Sequence, residues 1–429
     1  MTERLVVHLH DRIAGHLERL DDGRIGFTYT EDWRQAWFAG AAHQVSVSLP
    51  VRRRPERLDA TAFVAGLLPD SARHRTLLAG ELGIDDDPSD FAFISKMGRD
   101  CAGALTIVPE GEDPKRDAEG SVEWLDVAGL AEHLRSLPRR PLLVDHEEGI
   151  VLSLAGVNDK AAVVVRNGAV GLPRHGFPST HIIKVDIPGL QDSVKTEFFC
   201  LMLAKGVGMR VPRAALHDAE DQSFMLMQRY DRRVEDRKLV RVHQEDFCQA
   251  FGVMPGRKYQ RHGGPGWAEC FDLMSETVNP TEARQTLLRQ AAFQFFCGNP
   301  DAHAKNYSLV YGRGGTIQLS PLYDLNNAAA FAHRFKVARP IMAMLIGKQS
   351  NPDHVTADDW LDLAHECGLS GREVIAVVDG MAEEILHALP DAYDQVLRCE
   401  AVDRARDDIE DRCRRWGGQK PVPEIHMAL

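Results

Sequence analysis

No run of about 18 consecutive apolar residues, the length a helix needs to cross a bilayer, occurs in the 429-residue chain. The opening segment MTERLVVHLHDRIAGHLERL likewise lacks the unbroken apolar core of a secretory signal. The eight cysteines, at 101, 200, 248, 270, 297, 367, 399 and 413, include no CxxC pair and no zinc-like spacing with histidine. These absences predict reduced, mostly buried thiols and a cytoplasmic protein with no membrane partner. Positive charge is also in short supply: 51 basic residues face 63 acidic ones, a net −12, so the surface as a whole repels nucleic acid. The basic clusters Arg52, Arg53, Arg54 and Arg412, Arg414, Arg415 read as solvated faces, and any DNA contact must be local or borrowed from a partner.

What is present is the composition of a globular protein, 44% apolar, in a chain too long for one core, so two or three packed units are expected. Leu5 to His10, a turn at Asp21, Asp22 and Gly23, and Arg24 to Thr30 read as strands with a hairpin. HQVSVSL, residues 43–49, alternates at the two-residue strand period and is expected to be a strand ending at Pro50. The charged stretch EGEDPKRDAEGS has little to bury and marks a linker. Short β-like runs follow: LLV, AAVVV, HIIKV and FMLMQRY. Beyond His243 the pattern turns helical. Leu287, Leu288, Ala291, Ala292, Phe295 and Phe296 form one apolar stripe, stopped by Gly298, Asn299 and Pro300, and Thr356 with Asp359 reads as a capping box. These features divide the chain into 1–112, 123–243 and 244–429.

The chemistry is concentrated in GNPDAHAKNYSLVYGRGGTIQLSPLYDL, residues 298–325. Asp301 follows a helix break, and Asn306 lies five positions on, the spacing of a kinase catalytic loop in which a carboxylate meets the acceptor hydroxyl and an amide oxygen meets magnesium. A lone Asp-x4-Asn is common. This one gains weight from the hairpin expected over Tyr307–Tyr311 and Thr316–Ser320, which returns Asp324 beside the loop as a second hard-oxygen ligand. Lys305 lies where it can neutralise a transferring phosphate, and His303 reads as a support for the loop rather than a base.

Upstream, Lys184 sits in the apolar strand HIIKV, where a lysine needs an anionic neighbour, and Glu197 at the start of an expected amphipathic helix is its candidate partner. The alternative is a lysine reaching out to solvent and an unrelated surface glutamate. Ala155 and Gly156 form a small-residue turn whose amides can cradle phosphate, although the turn is no GxGxxG loop and a plain hairpin turn remains open. MLMQRYDR, residues 225–232, reads as a strand running into a nucleotide hinge or as an ordinary core strand.

Taken together, these segments resemble the HipA family, the kinase component of HipBA toxin–antitoxin modules. The resemblance is carried by FTYTEDW, VSVSLPVR, GLLPD and GRDCAGALTIVPEG in the N-terminal part. SLAGVNDKAAV, THIIKV, MQRYDRR, HQEDFCQAFG, GNPDAHAKNYSL and LSPLYDL carry it in the kinase part. It implies Asp301 as catalytic aspartate, and His303, Ala304, Lys305 and Asn306 as the nucleotide and magnesium loop. Asn306 and Asp324 become metal ligands, with Tyr323 beside the nucleotide. It further implies Lys184 as phosphate-binding lysine, Gln228, Arg229 and Tyr230 as adenine hinge, and Ala155, Gly156, Val157, Asn158, Asp159 and Lys160 as phosphate loop. Ser153 matches the serine that family members autophosphorylate. The chain departs from the family at Val157 to Lys160, where A-Q-E/D-K is usual, at Gln228, often Glu, and at Ala302, often Gly.

The expected fold is accordingly α+β and protein-kinase-like, bilobal, with an α/β N-terminal lobe carrying a small β-rich subdomain and an all-helical C-terminal lobe. The implied cofactors are ATP and Mg2+. The implied partners are a HipB-like helix-turn-helix antitoxin, operator DNA reached through it, and a protein substrate of the aminoacyl-tRNA synthetase class. A small-molecule kinase and a catalytically silent co-repressor are the rival expectations.

Overall fold

The computed structural model describes residues 3–114, 122–144, 159–236, 238–334 and 341–418. Ser153, Ala155, Gly156, Val157 and Asn158 lie outside the described residues.

Alternation of apolar and polar residues builds a first antiparallel sheet from β1 (Arg4–Leu9), β2 (Arg12–Arg19), β3 (Ile25–Tyr29), β4 (Leu58–Asp59) and β5 (Leu105–Pro109), in the order β4-β3-β2-β1-β5. Its buried face meets Trp33, Phe63, Phe91 and Phe93 in one core. Residues 43–49 depart from the strand expected there: only an isolated bridge, Ser46 with Leu49, forms. The reason is long-range bonding. The Val47 N–H and the Ser46 hydroxyl are both taken by the Glu245 carboxylate, and Tyr29 OH ties Val45 N and Leu49 O together, so no neighbouring strand is needed.

The second sheet contains β6 (Val122–Trp124), β7 (Lys160–Arg166), β8 (Ala169–Pro173), β9 (His181–Val185), β10 (Ala214–Ala219) and β11 (Gln222–Gln228), ordered β10-β11-β9-β7-β8-β6. The LLV run expected as β-like is instead a 3-10 turn, Pro141–Leu143, entered through a proline and with Leu142 at φ 61°. Helix Ser193–Gly206 packs against this sheet. It is buried on nearly every side rather than amphipathic, because the sheet covers one flank and helix Gly371–Asp394 another.

A two-stranded ribbon, β12 (Arg232–Glu235) and β13 (Lys238–Arg241), leads into the helical lobe. There β14 (His243–Asp246), β15 (Ser308–Tyr311) and β16 (Ile317–Leu319) form a small antiparallel sheet, with the β15–β16 hairpin where the sequence expects it. Helix Pro280–Phe296 carries the apolar stripe and ends at Gly298, whose φ of 67° suits glycine. Asp359 accepts from the Thr356 N–H at 2.8 Å, starting helix Ala357–Glu366. Helices Gly371–Asp394 and Glu400–Gly418 complete one continuous core running from Phe199 to Trp416. No described helix is long and apolar enough to cross a membrane.

The first sheet's unit is locked to the rest by buried polar contacts. His243 Nε2 lies 2.7 Å from Val45 O, and Gln249 Nε2 donates to Phe63 O at 3.0 Å. Asp100 accepts from Arg232 at 2.7 Å, while Gly103 N–H donates to Asp231 at 2.7 Å. Gly103 has φ 75°, and a Cβ there would lie 2.7 Å from Gln244 N, so the close approach requires glycine. Across this interface GRDCAGAL therefore meets MQRYDRR, and HQEDFCQAFG meets Val45 and Phe63.

Candidate active site

The break after helix Pro280–Phe296 releases a loop that is organised by its own amides. Asn299 Oδ1 accepts from Asp301 N at 3.1 Å, and Asn306 Nδ2 donates to Asp301 O at 3.0 Å. His303 N also donates to Asp301 O, at 2.8 Å. Asp301 is thus fixed by its backbone while its side chain stays 56% exposed. With Asn306 Nδ2 turned to the backbone, its amide oxygen is the atom left for another donor or a cation.

The β15–β16 hairpin delivers Asp324 to the same place. Its backbone sits at φ 59°, an unusual conformation for a residue with a side chain. Lys184 Nζ holds it from the side-chain end, 3.0 Å from Asp324 Oδ1, and Asn299 Nδ2 reaches its carbonyl at 3.3 Å. Lys184 also lies 2.5 Å from Glu197 Oε1, so the strand lysine has the helix glutamate as partner rather than reaching solvent. Burial opposes ionisation of Asp324, but the Lys184 ammonium outweighs it and the carboxyl is lowered to about 2. Lys160 stands opposite Lys184 across β7 and β9; burial and that like charge lower its ammonium to about 8.

These residues wall a cleft between the second sheet and the helical lobe, of about 220 Å³. Lys160, Lys184, Gln228, Arg229, Tyr230, Asp301, His303, Lys305, Asn306, Tyr323 and Asp324 all line it. Among the described residues, two of the nucleotide-loop candidates do not. Asp159 turns away to His74, 2.9 Å from its Nε2, and Ala304 is buried behind the loop.

Three members of the wall behave differently from a reading of spacing alone. Lys305 is no open phosphate-neutralising charge: its Nζ lies 3.2 Å from Asp246 and 3.5 Å from Asp70, with Gly66 O at 3.4 Å. Arg229 sends its guanidinium into a buried ion network, 2.7 Å from Asp231 Oδ2 and 2.8 Å from Ser179 Oγ. The N–H groups of Gln228 and Arg229 are engaged too, with Arg213 O at 2.7 Å and Thr180 O at 3.0 Å, so neither N–H is open to a base. Tyr230 and Tyr323 stack with ring centroids 5.7 Å apart, and Tyr323 OH donates to Lys305 O at 3.0 Å, giving the cleft an aromatic end.

His303 is neutral at pH 7: burial, then the Lys258 charge, lowers it to about 4. Its Nε2 lies 4.0 Å from Asp301 Oδ2. His303 Nδ1, in the cleft wall, is buried without a hydrogen-bond partner, the state of an atom that a ligand or water satisfies, whereas the Asp70 Oδ1 beside it faces the Lys305 ammonium at 3.5 Å.

Asp70, Asp246, Asn299 and Tyr259 are site residues that spacing did not reveal. Asp70 and Asp246 arrive from opposite sides of the interface to hold Lys305, and the GLLPD and HQEDFCQAFG motifs contain them. Tyr259 OH donates to Asp301 Oδ1 at 2.8 Å from a segment with no local signal.

No group of three or more His, Cys, Asp or Glu side chains is poised to hold a metal among the described residues. The Asp324 carboxylate and the Asn306 amide oxygen, both lining the cleft, fit a magnesium ion held mostly by phosphate oxygens and water.

Comparison with known proteins matches two family models, the HipA N-terminal domain over residues 5–108 and the HipA-like C-terminal domain over residues 152–389. A Sinorhizobium fredii protein named "Putative kinase Y4mE" is 35% identical over 425 residues, covering 96% of this chain and 99% of its own. The Shewanella oneidensis serine/threonine-protein kinase toxin HipA is 27% identical over 403 residues, covering 90% of this chain and 89% of its own. Among solved structures, the Shewanella oneidensis complex of HipA, HipB and operator DNA superposes with a TM-score of 0.82 at 25% identity, covering 96% of this chain and 97% of that one.

Proposed function

The chain belongs to the HipA family of kinases, and from that premise we propose that it is an ATP- and magnesium-dependent serine/threonine protein kinase toxin with Asp301 as its catalytic carboxylate. The observation that carries the reading is the convergence of Asp301, Asn306, Asp324 and Lys184 on one cleft with a stacked aromatic end.

In this reading Lys184, fixed by Glu197, binds nucleotide phosphate, and Lys160 adds charge beside it. Tyr230 and Tyr323 flank the base. Asn306 and Asp324 would hold magnesium, which when bound neutralises charge on the transferring phosphate. Asp301 orients the acceptor hydroxyl and takes its proton. Lys305 has a positioning role, tying the catalytic loop to Asp246 and to Asp70 of the first sheet's unit.

The finer proposals follow the family. Ser153 is the site of autophosphorylation that shuts the kinase off, and the substrate is a protein serine, on an aminoacyl-tRNA synthetase, whose modification arrests translation. A HipB-like antitoxin is the partner, carrying the chain to operator DNA in the cytoplasm, as the HipA of the superposed complex sits with HipB and DNA. The net charge of −12 supports indirect DNA contact. The functional division we propose is 1–112, 123–243 and 244–429.

Incubation of the purified chain with ATP and magnesium, followed by phosphosite mapping by mass spectrometry, tests the reading. Phosphate on Ser153 is expected. ATP turnover that labels a small molecule and no protein serine would instead favour a small-molecule kinase.

A further inference from the structure

Asp301 lines the nucleotide cleft, while Tyr259, which does not line it, donates from its hydroxyl to Asp301 Oδ1 at 2.8 Å. An acceptor has to reach Asp301 from outside the nucleotide, and a general base must lie within about 2.6–3.2 Å of the hydroxyl it serves. The phenol already fills such a position, with the donor and acceptor roles an acceptor hydroxyl would have.

The segment that presents Tyr259 is built to keep it there. Gln260 N–H donates to Ala343 O at 3.0 Å, Leu345 N–H donates to Gln260 Oε1 at 2.8 Å, and Ala343 N–H donates to Pro300 O at 2.7 Å, so the segment is stitched to the catalytic loop through a third strand of chain. A side chain at Gly264 would put its Cβ 2.1 Å from Arg257 O, so the turn over residues 257–264 is closed tightly. The ring lies edge-on to His303 at 5.4 Å, and the Arg261 guanidinium covers it at 4.8 Å. Arg261 and its neighbour His262 are exposed, so the ring's outer cover is made by solvent-facing side chains. Burial and then the Asp301 charge raise the Tyr259 pKa, so the group is a protonated donor throughout the working range.

We propose that Tyr259 is an acceptor-site gate: its phenol holds the position at Asp301 that the serine or threonine hydroxyl of the protein substrate must take, and the substrate binds by displacing it. The inference rests on Asp301 being the kinase base. On displacement the acceptor O–H becomes the donor to Asp301. Its oxygen bonds to the γ-phosphorus as the bond to the bridging oxygen breaks, its proton passes to Asp301, and ADP leaves. With no acceptor bound, the phenol keeps water from the same position, which limits wasteful hydrolysis.

The test compares wild type, Tyr259→Phe, Arg261→Ala and Asp301→Asn as full chains. Four quantities are read: ATP hydrolysis without acceptor, KM and kcat for dephosphorylated casein, and equilibrium casein binding without nucleotide. Tyr259→Phe is expected to raise acceptor-free hydrolysis and to tighten casein binding, each by roughly two- to tenfold, the weight of one net hydrogen bond. Its KM should fall by more than its kcat. Arg261→Ala, which loosens the ring and keeps the hydroxyl, should shift the same quantities in the same direction by less, and it carries the test if Tyr259→Phe fails to fold by circular dichroism. Unchanged or reduced hydrolysis together with unchanged casein binding overturns the gate and leaves Tyr259 as a residue that merely orients Asp301. Hydrolysis alone decides if casein is not an acceptor. Wild-type turnover in Asp301→Asn overturns the kinase-base reading itself, whereas a dead Asp301→Asn beside an unaltered Tyr259→Phe overturns only the gate.

Discussion

Lys184 Nζ lies 2.5 Å from Glu197 Oε1, joining β9 of the second sheet to helix Ser193–Gly206 behind it. Both side chains are nearly inaccessible, and a second carboxylate, Asp324, shares the ammonium at 3.0 Å. The pair orients the lysine toward the cleft and fixes Asp324.

Lys184→Met removes the cation bonded to both the buried Glu197 and the part-exposed Asp324, a change that costs about 3–5 kcal/mol when a buried pair is broken. The expected result is a lower urea midpoint and a loss of ATP affinity of at least about tenfold, the equivalent of 1.4 kcal/mol. Calorimetric titration with ATP checks the second, and retention of wild-type affinity would remove Lys184 from the phosphate site.

Glu245 gives the interface a pH dependence. Burial lifts its carboxyl from 4.5 to about 7, partly offset by the hydroxyls of Ser46 and Tyr311 and the Val47 N–H. An acid whose folded pKa exceeds its unfolded one stabilises the fold while protonated. Its contribution is complete below 4.5 and is lost as pH rises to about 7. Relative to Glu245→Gln, wild-type stability should fall by roughly 3 kcal/mol across that window and stay level above it. Urea melts of both proteins from pH 4.5 to 8 supply the comparison.

Arg229 should matter to stability rather than to base recognition. Its guanidinium is buried against Asp231 at 2.7 Å, beside Asp100 at 3.7 Å. Arg229→Met removes one of the cations these carboxylates share, leaving Arg232 at 2.7 Å from Asp100 and 2.9 Å from Asp231, and should lower the urea midpoint. At a temperature where the variant is folded, its ATP affinity should stay within about twofold of wild type, less than half of one net hydrogen bond.

Lys305→Ala leaves Asp246 and Asp70 facing each other without their shared cation. The variant should lower the melting temperature and loosen the catalytic loop. Hydrogen exchange should accelerate at residues 301–306 while the strands of the first sheet keep their protection.

Much of the catalytic loop was legible because its logic is local. Asp301 and Asn306 are five residues apart in one loop, and a short hairpin returns Asp324, so spacing and turn residues suffice to bring them together. Lys184 and Glu197 were legible for a different reason: a lysine in an apolar strand demands a nearby anion. What escaped were relationships made across the interface. The period-two pattern of residues 43–49 read as a strand because Glu245, nearly two hundred residues on, could not be foreseen as the acceptor for Ser46 and Val47. Lys305 read as an open charge because Asp70 and Asp246 reach it from separate parts of the chain. Tyr259 carries no periodic or motif signal at all, and only the folded loop brings it to Asp301.

Asp301 is proposed as the base of a protein kinase. Transfer of labelled γ-phosphate from ATP to protein serine, measured side by side for wild type and Asp301→Asn with matched circular dichroism, tests it most directly. Labelling by wild type is expected, with a fall of at least about a hundredfold in the variant, the lower end of what a positioned acid–base group contributes. Equal labelling by both proteins would contradict it.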